Sequence, residues 1–412
     1  MTPVLAHAVG SGQFPVPLWF IAVFDAVLLV LVALYLRQTR AKARAPWPED
    51  PPAPPAPRRV AVWLARAVGL VGWAVTLVAA FVGPGDDATN IAYYGALYGL
   101  FLGGAFLSLV AGDVWSRLDP FDGLASLLGA PEGERDPDRP GPTWTAPLFL
   151  ASYAWTLDAF HIRNPRVVGV WLAAYSLLAV AGAFVWGRGW LRRGEGFAVL
   201  HGLLARVAPW RRRLGTGGDV DPGGTWVLVV AAALAVFSAV RGLYWWQVEV
   251  MGARTGWTRT VVDTTGLTFT VAVIGTVWVG VTRAATRSTG ERDPWGVVLL
   301  PAVAGLLVAK FASLCVQDGW NLVGLASDPF GKGWDLFGTY TWLPNFALAR
   351  SAVLSWIEVL SIVLGGVLAM VLAQDAALAV AGSRRQAASV VQPVQAALVA
   401  LSVAGLSLVL KA

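Results

Sequence analysis

Long apolar runs alternate along this chain with short segments rich in charge, Gly and Pro. Ten runs approach the roughly 20 residues that a helix needs to cross the hydrocarbon core of a bilayer. They cover 17–36, 60–82, 91–110, 144–160, 167–185, 226–244, 264–281, 295–314, 349–372 and 393–410. The pattern predicts an all-α, polytopic integral membrane bundle of about ten transmembrane helices with interfacial helices, spanning 1–412 as a single membrane domain. In the third run Gly95, Gly99 and Gly103 recur at every fourth place, a spacing that lets another helix approach closely. Between the fifth and sixth runs Phe197, Leu200, Leu204 and Val207 recur at helical spacing, with Glu195 and Arg206 on the other side. That pattern predicts an interfacial helix inside the 186–225 loop.

Lys and Arg collect on the cytoplasmic side of membrane proteins, which fixes an orientation. With the N-terminus outside, the inner segments carry 21 basic residues and the outer segments with their adjoining end turns carry 8. Both termini are therefore expected to be extracytoplasmic in a multi-pass protein of the cytoplasmic membrane. The first run is not expected to be a cleaved signal peptide, because no Lys or Arg precedes it. The inner loop 37–59 holds seven prolines between Pro46 and Pro57 and reads as an extended, solvated spacer.

Composition sharpens this picture. Among 412 residues 56% are hydrophobic and 14% charged, against about 45–50% and about 25% in soluble domains, which excludes an ordinary water-soluble protein. Many of the 21 Trp flank the apolar runs, where an amphipathic ring fits the headgroup level. The net charge of +6 is spread between the runs, so no nucleic-acid partner is expected; the lipid bilayer is the partner, with a small-molecule ligand as a further candidate. The lone Cys315 excludes an internal disulfide. No run carries a His pair, which argues against haem, and there is no phosphate-binding loop, paired-cysteine zinc pattern or nucleophile elbow.

Ionisable groups inside a membrane are costly and face a partner or a wet cavity. Asp25 and Glu358 fall within the first and ninth runs as intramembrane polar residues, while Asp158 and Lys310 approach the outer ends of the fourth and eighth. Lys310 and Glu358, on runs joined by one loop, are expected to compensate each other's charge. His7 and His161 on the same side are candidate ligands for a divalent metal. The outer loop 316–348 is long for a connection, and loops of that length are often functional. It contains Ser327-Asp328-Pro329-Phe330-Gly331-Lys332-Gly333-Trp334-Asp335-Leu336-Phe337-Gly338, which suits either a lid over a cavity or a structural cap; a related Asp119-Pro120-Phe121-Asp122 lies on the inner side.

In the order of several segments the chain resembles a bacterial family of polytopic membrane proteins known as fenitrothion hydrolase. The resemblance rests on Ala6-His7 before Phe14-Pro15-Val16-Pro17, Gly112-Asp113-Val114-Trp115 before Asp119-Pro120-Phe121, Arg193-Gly194-Glu195 before Phe197, the Ser327 to Gly338 motif, and Ile357-Glu358-Val359. It implies hydrolysis of organophosphate esters, with water displacing an aryloxide from phosphorus, and histidines in relatives where this chain has Lys310, Gly366 and Gln374. Under that reading Asp158, Asp328 or Asp335 would orient water and Lys310 would stabilise developing negative charge at an outward-facing site. The alternative is a permease or a non-catalytic membrane subunit, with Asp25, Lys310 and Glu358 along a path or in a structural cluster.

Overall fold

The computed structural model describes residues 17–40, 59–160, 164–208, 220–287, 294–342, 346–349, 351–381 and 383–409. His7, His161 and most of the proline-rich 37–59 segment lie outside them. In chain order the helices that matter are α1 (Leu18–Thr39), α2 (Arg59–Val82), α3 (Ile91–Ala111), α4 (Trp115–Leu118), α5 (Pro120–Leu127), α6 (Thr145–Asp158) and α7 (Pro165–Trp186). They continue as α8 (Leu191–Gly194), α9 (Gly196–Leu204), α10 (Pro222–Gly242), α11 (Gly256–Thr286), α12 (Gly296–Gln317), α13 (Gly319–Ser327), α14 (Ala352–Val380) and α15 (Arg384–Val409). The described residues form no strand; their helices satisfy the backbone internally, as a hydrocarbon solvent requires.

Among the described residues, nine helices are long and apolar enough to cross a membrane. The fourth expected crossing differs: α6 has 14 residues, about 21 Å of helix at 1.5 Å per residue, less than the ~30 Å hydrocarbon core. Its short reach is supplemented by α9, which packs on it; an added Cβ at Gly196 would lie 2.7 Å from the Leu150 nitrogen. The helices of the seventh and tenth runs, α11 and α15, outrun their apolar cores, because end turns that project into the headgroup region need not be apolar. In α15 the helix starts at Arg384 and carries Pro393 inside it, where the hydropathy pattern places the start.

The hub of the bundle is α10. Asp221 caps it by accepting a 2.6 Å bond from the Gly224 N–H, and Pro222 occupies the first turn, where a missing N–H costs nothing. From Val227 to Ala235 every side chain is at most 4% exposed, as expected of a helix that is apolar all round. The most extensive helix pair is α12 with α14. They approach at Gly305 and Gly365, where a Cβ would meet the Ser361 and Pro301 carbonyl oxygens at 2.3 and 2.4 Å. In contrast α1, α2 and α11 turn Trp19, Val60 and Phe269 outward, each about two-thirds exposed. An apolar belt of this kind is a lipid-facing surface.

Candidate polar sites on the two faces of the bundle

The long loop and its neighbours define one face. Here Asp158 ends α6, 3% exposed. It accepts a 2.8 Å charged bond from Arg241 and a hydrogen bond from Ser238, both on α10. Asp263 on α11 extends the cluster: the Trp246 indole N–H donates to it at 3.1 Å, and Arg241 and Arg259 lie at 4.0 and 3.8 Å. Lys310 is within electrostatic range of Asp158, Arg241 and Glu358. Lys310 and Ser313 of α12 are the polar groups facing Glu358 on α14. The expected compensation between Lys310 and Glu358 is thus through space; no ion pair within 4 Å joins them among the described residues.

Asp328 and Asp335 are spent differently. Asp328 is buried, and its two oxygens accept the Lys332 and Gly333 N–H groups at 2.8 Å each. Ser327 is fully buried, shares a 2.7 Å bond with the Thr339 hydroxyl, and accepts from the Phe337 N–H. Asp335 is exposed and accepts from the Tyr340 N–H at 3.1 Å. Gly331, Gly333 and Gly338 all hold positive φ, which explains the glycines of the motif. The motif is a self-bonded turn that closes on α13 through the 2.9 Å bond from Thr339 to the Val323 carbonyl.

Deeper in the bundle, Asp25 of α1 is fully buried and accepts a 2.7 Å bond from Ser402 of α15. Towards the other end of the same helices Arg37 donates to Gln395 at 2.6 and 3.0 Å, Arg384 donates to the Arg37 carbonyl, and Arg40 pairs with Asp375. No group of three metal-ligating side chains occurs among the described residues, and both histidines expected to bind metal lie outside them.

The opposite face holds what sequence reasoning did not assemble. A cavity of about 560 Å³ opens between α4, α5, α9 and the start of α10, with Asp119, Asp122, Arg188, Arg192, Gly202 and Asp221 in its wall. Asp122 is locked between Arg188, at 2.8 Å, and Arg66, at 3.0 Å. That contact accounts for an arginine the hydropathy pattern leaves inside the second run. Asp119 caps α5 by accepting from the Phe121 and Asp122 N–H groups at 2.8 and 3.2 Å. Glu195 caps α9 by accepting from Phe197 and Ala198 at 2.8 and 2.7 Å, and the Tyr175 hydroxyl donates to it.

These two caps lie close enough to repel. Burial, then the Glu195 charge and that of Asp122, hold the Asp119 carboxyl well above the usual range. Burial pushes Glu195 up to about 7, against the opposing hydrogen bonds from Tyr175 and the α9 backbone. Next to them His201 is fully buried against Trp115, ring centroids 4.4 Å apart, and burial holds it down at about 3. A neutral ring with Nε2 3.2 Å from the Phe101 carbonyl donates there, leaving Nδ1 as an acceptor without a partner. The helix expected at the interface does form as α9, yet Phe197, Leu200, His201 and Leu204 are all fully buried. Glu195, expected on its polar side, is buried as well. A signal for the caps was present in Asp119-Pro120 and in Glu195-Gly196 ahead of apolar residues; nothing in the sequence brought the two together.

The architecture defines a class: a multi-pass, all-helical membrane protein. No family model, curated protein or solved structure matches this chain.

Proposed function

We propose that this protein is a permease for a small polar solute, which enters the membrane domain through the cavity between α4, α5 and α9. The observation that carries the reading is that cavity: about 560 Å³, walled by Asp119, Asp122, Asp221, Arg188 and Arg192, in a protein otherwise clad in apolar side chains. Pockets of a few hundred cubic ångströms with a few convergent polar groups are where small ligands bind. Arg192 is exposed there and makes no ion pair among the described residues, so it is available to an anionic or zwitterionic solute. Polar side chains at several depths of the bundle, Lys310 with Glu358, Asp25 with Ser402, and Gln395 with Arg37, suit passage better than a single closed reaction centre. The phosphotriester reading needs a base beside Lys310, and two of the acids expected there are taken: Asp158 by Arg241 and Ser238, Asp328 by its own loop.

The test exploits Gly202, where an added side chain would meet nothing within 4 Å and would project into the cavity. Purified wild type is screened for thermal stabilisation by panels of amino acids, organic acids and phosphotriesters, and stabilising compounds are then followed by counterflow in proteoliposomes. Gly202→Trp should abolish both stabilisation and counterflow while the protein remains folded. Phosphotriester hydrolysis that Lys310→Met eliminates and Gly202→Trp leaves intact would overturn the permease in favour of the hydrolase.

A further inference from the structure

We propose that Asp25 is an intramembrane proton-binding site, a buried carboxyl group held in its protonated form beside the Ser402 hydroxyl. The inference is independent of which solute, if any, fills the cavity on the far side. Asp25 is 0% exposed on α1. One oxygen accepts from Ser402 and the other has no hydrogen-bond partner. A carboxylate in that position would be a bare charge in a low-dielectric interior, which proteins avoid by pairing it, coordinating it or protonating it.

The surroundings remove the first two options. Ser402 borders a void of about 10 Å³ lined by Ala302, Leu306, Ile362, Gly366 and Leu401. Apart from Ser402 that wall holds no polar side chain, so it lacks the several oxygen ligands that a hard cation demands. The helices packed on α1 are α14 and α15, and α12 completes the void. Of their charged groups Glu358 lies eight residues before Gly366 and Asp375 nine after it, about 12–14 Å away along the axis. Lys310 is beside Glu358, while Arg37 and Arg384 are bonded to each other and Arg40 to Asp375 near the far end. None of them bonds Asp25. A proton on the carboxyl itself is the remaining neutraliser, and the Ser402 hydroxyl is the one hydrogen-bond donor to it.

The experiment is infrared spectroscopy of the full chain in lipid nanodiscs, comparing wild type, Asp25→Asn and Ser402→Ala. The expected result is a protonated-carboxyl C=O band at neutral pH that Asp25→Asn removes and that Ser402→Ala moves to higher frequency, because a hydrogen bond to that carboxyl is lost. In parallel, a hydrophobic carbodiimide should modify the Asp25 peptide, with no protection by sodium ions at constant pH. A wild-type spectrum identical to that of Asp25→Asn overturns the proposal, and so does protection by sodium, which would assign a metal cation. Should Asp25→Asn fail to fold, an unshifted band in Ser402→Ala overturns it equally.

Discussion

Among the described residues, buried acids meet a cation, a helix N-terminus or, for Asp328, the N–H groups of its own turn, with Asp25 the exception. Asp158 is the cation case: at 4% side-chain exposure it depends on Arg241, itself 18% exposed. Removing one partner of such a pair leaves an uncompensated charge, a loss of about 3–5 kcal/mol, more than removing both. Arg241→Met should therefore lower the detergent melting temperature sharply, and Arg241→Met with Asp158→Asn should recover part of the loss. Additive losses in the two single variants and the double would reject the pairing. Glu195 is the N-terminus case, with a pH signature. Its carboxyl is raised from an ordinary 4.5 to about 7 in the folded protein, so the folded state holds the extra proton. Its contribution to stability is complete below about pH 4.5 and declines as pH rises towards 7. His201, held low at about 3, works in the opposite sense: its contribution is lost as pH falls from 6.5. A Glu195→Gln variant removes only the first dependence. Its melting temperature relative to wild type should climb between pH 4.5 and 7, and a constant difference would show that Glu195 does not titrate there.

Among the elements, α9 shows where a helical period stops being informative. The spacing of Phe197, Leu200 and Leu204 marks one apolar face, but α3, α6 and α10 enclose this short helix on several sides. Gly104 of α3 marks the closest approach: an added Cβ would sit 2.5 Å from His201 Cε1 and 2.8 Å from the Trp115 ring. Overpacking of that kind costs about 1–3 kcal/mol. Gly202, one residue after His201, has open space, and Ala is favoured over Gly in a helix by about 0.5–1 kcal/mol. The two substitutions to Ala should thus have opposite signs, Gly104→Ala lowering the melting temperature and Gly202→Ala raising it. Equal effects would mean that α9 does not pack as described. The same element-scale view explains the partial success of the glycine stripe: Gly95 admits the Thr76 side chain of α2, with a Cβ-to-Oγ1 distance of 2.3 Å, whereas Gly99 has only Leu322 at 3.9 Å.

For the whole molecule, the asymmetry of basic residues leads to the prediction that the cavity face is cytoplasmic and the self-bonded loop lies outside. Single cysteines in a Cys315→Ser background test this at two exposed positions, Gly338 in the loop and Glu132 near the cavity face; Glu132 is 92% exposed. An impermeant thiol reagent on intact cells should label position 338 and spare 132. The reverse pattern would invert the protein and place the cavity outside. Either way the two polar assemblies stay on opposite faces, because α1, α2, α12 and α14 run between them.

The apolar nature and approximate limits of nine of the ten expected crossing helices were legible in the sequence, because a hydrocarbon solvent imposes length and hydropathy on each span locally. The intramembrane Asp25 and Glu358, the loop motif and its glycines, and the helix between the fifth and sixth runs were legible for the same reason: each breaks or follows a local rule. The partners were not. Asp25 meets Ser402 across 377 positions, Arg66 meets Asp122 across 56, and Asp158 meets Arg241 across 83. Whether Asp328 is a reactive base or a turn cap, whether α6 crosses fully, and whether Asp119 and Glu195 face each other depend on how helices lean together. That packing is decided by side-chain volume and small-residue contacts spread over many spans, so only the tertiary structure turned a row of polar residues into two separate sites.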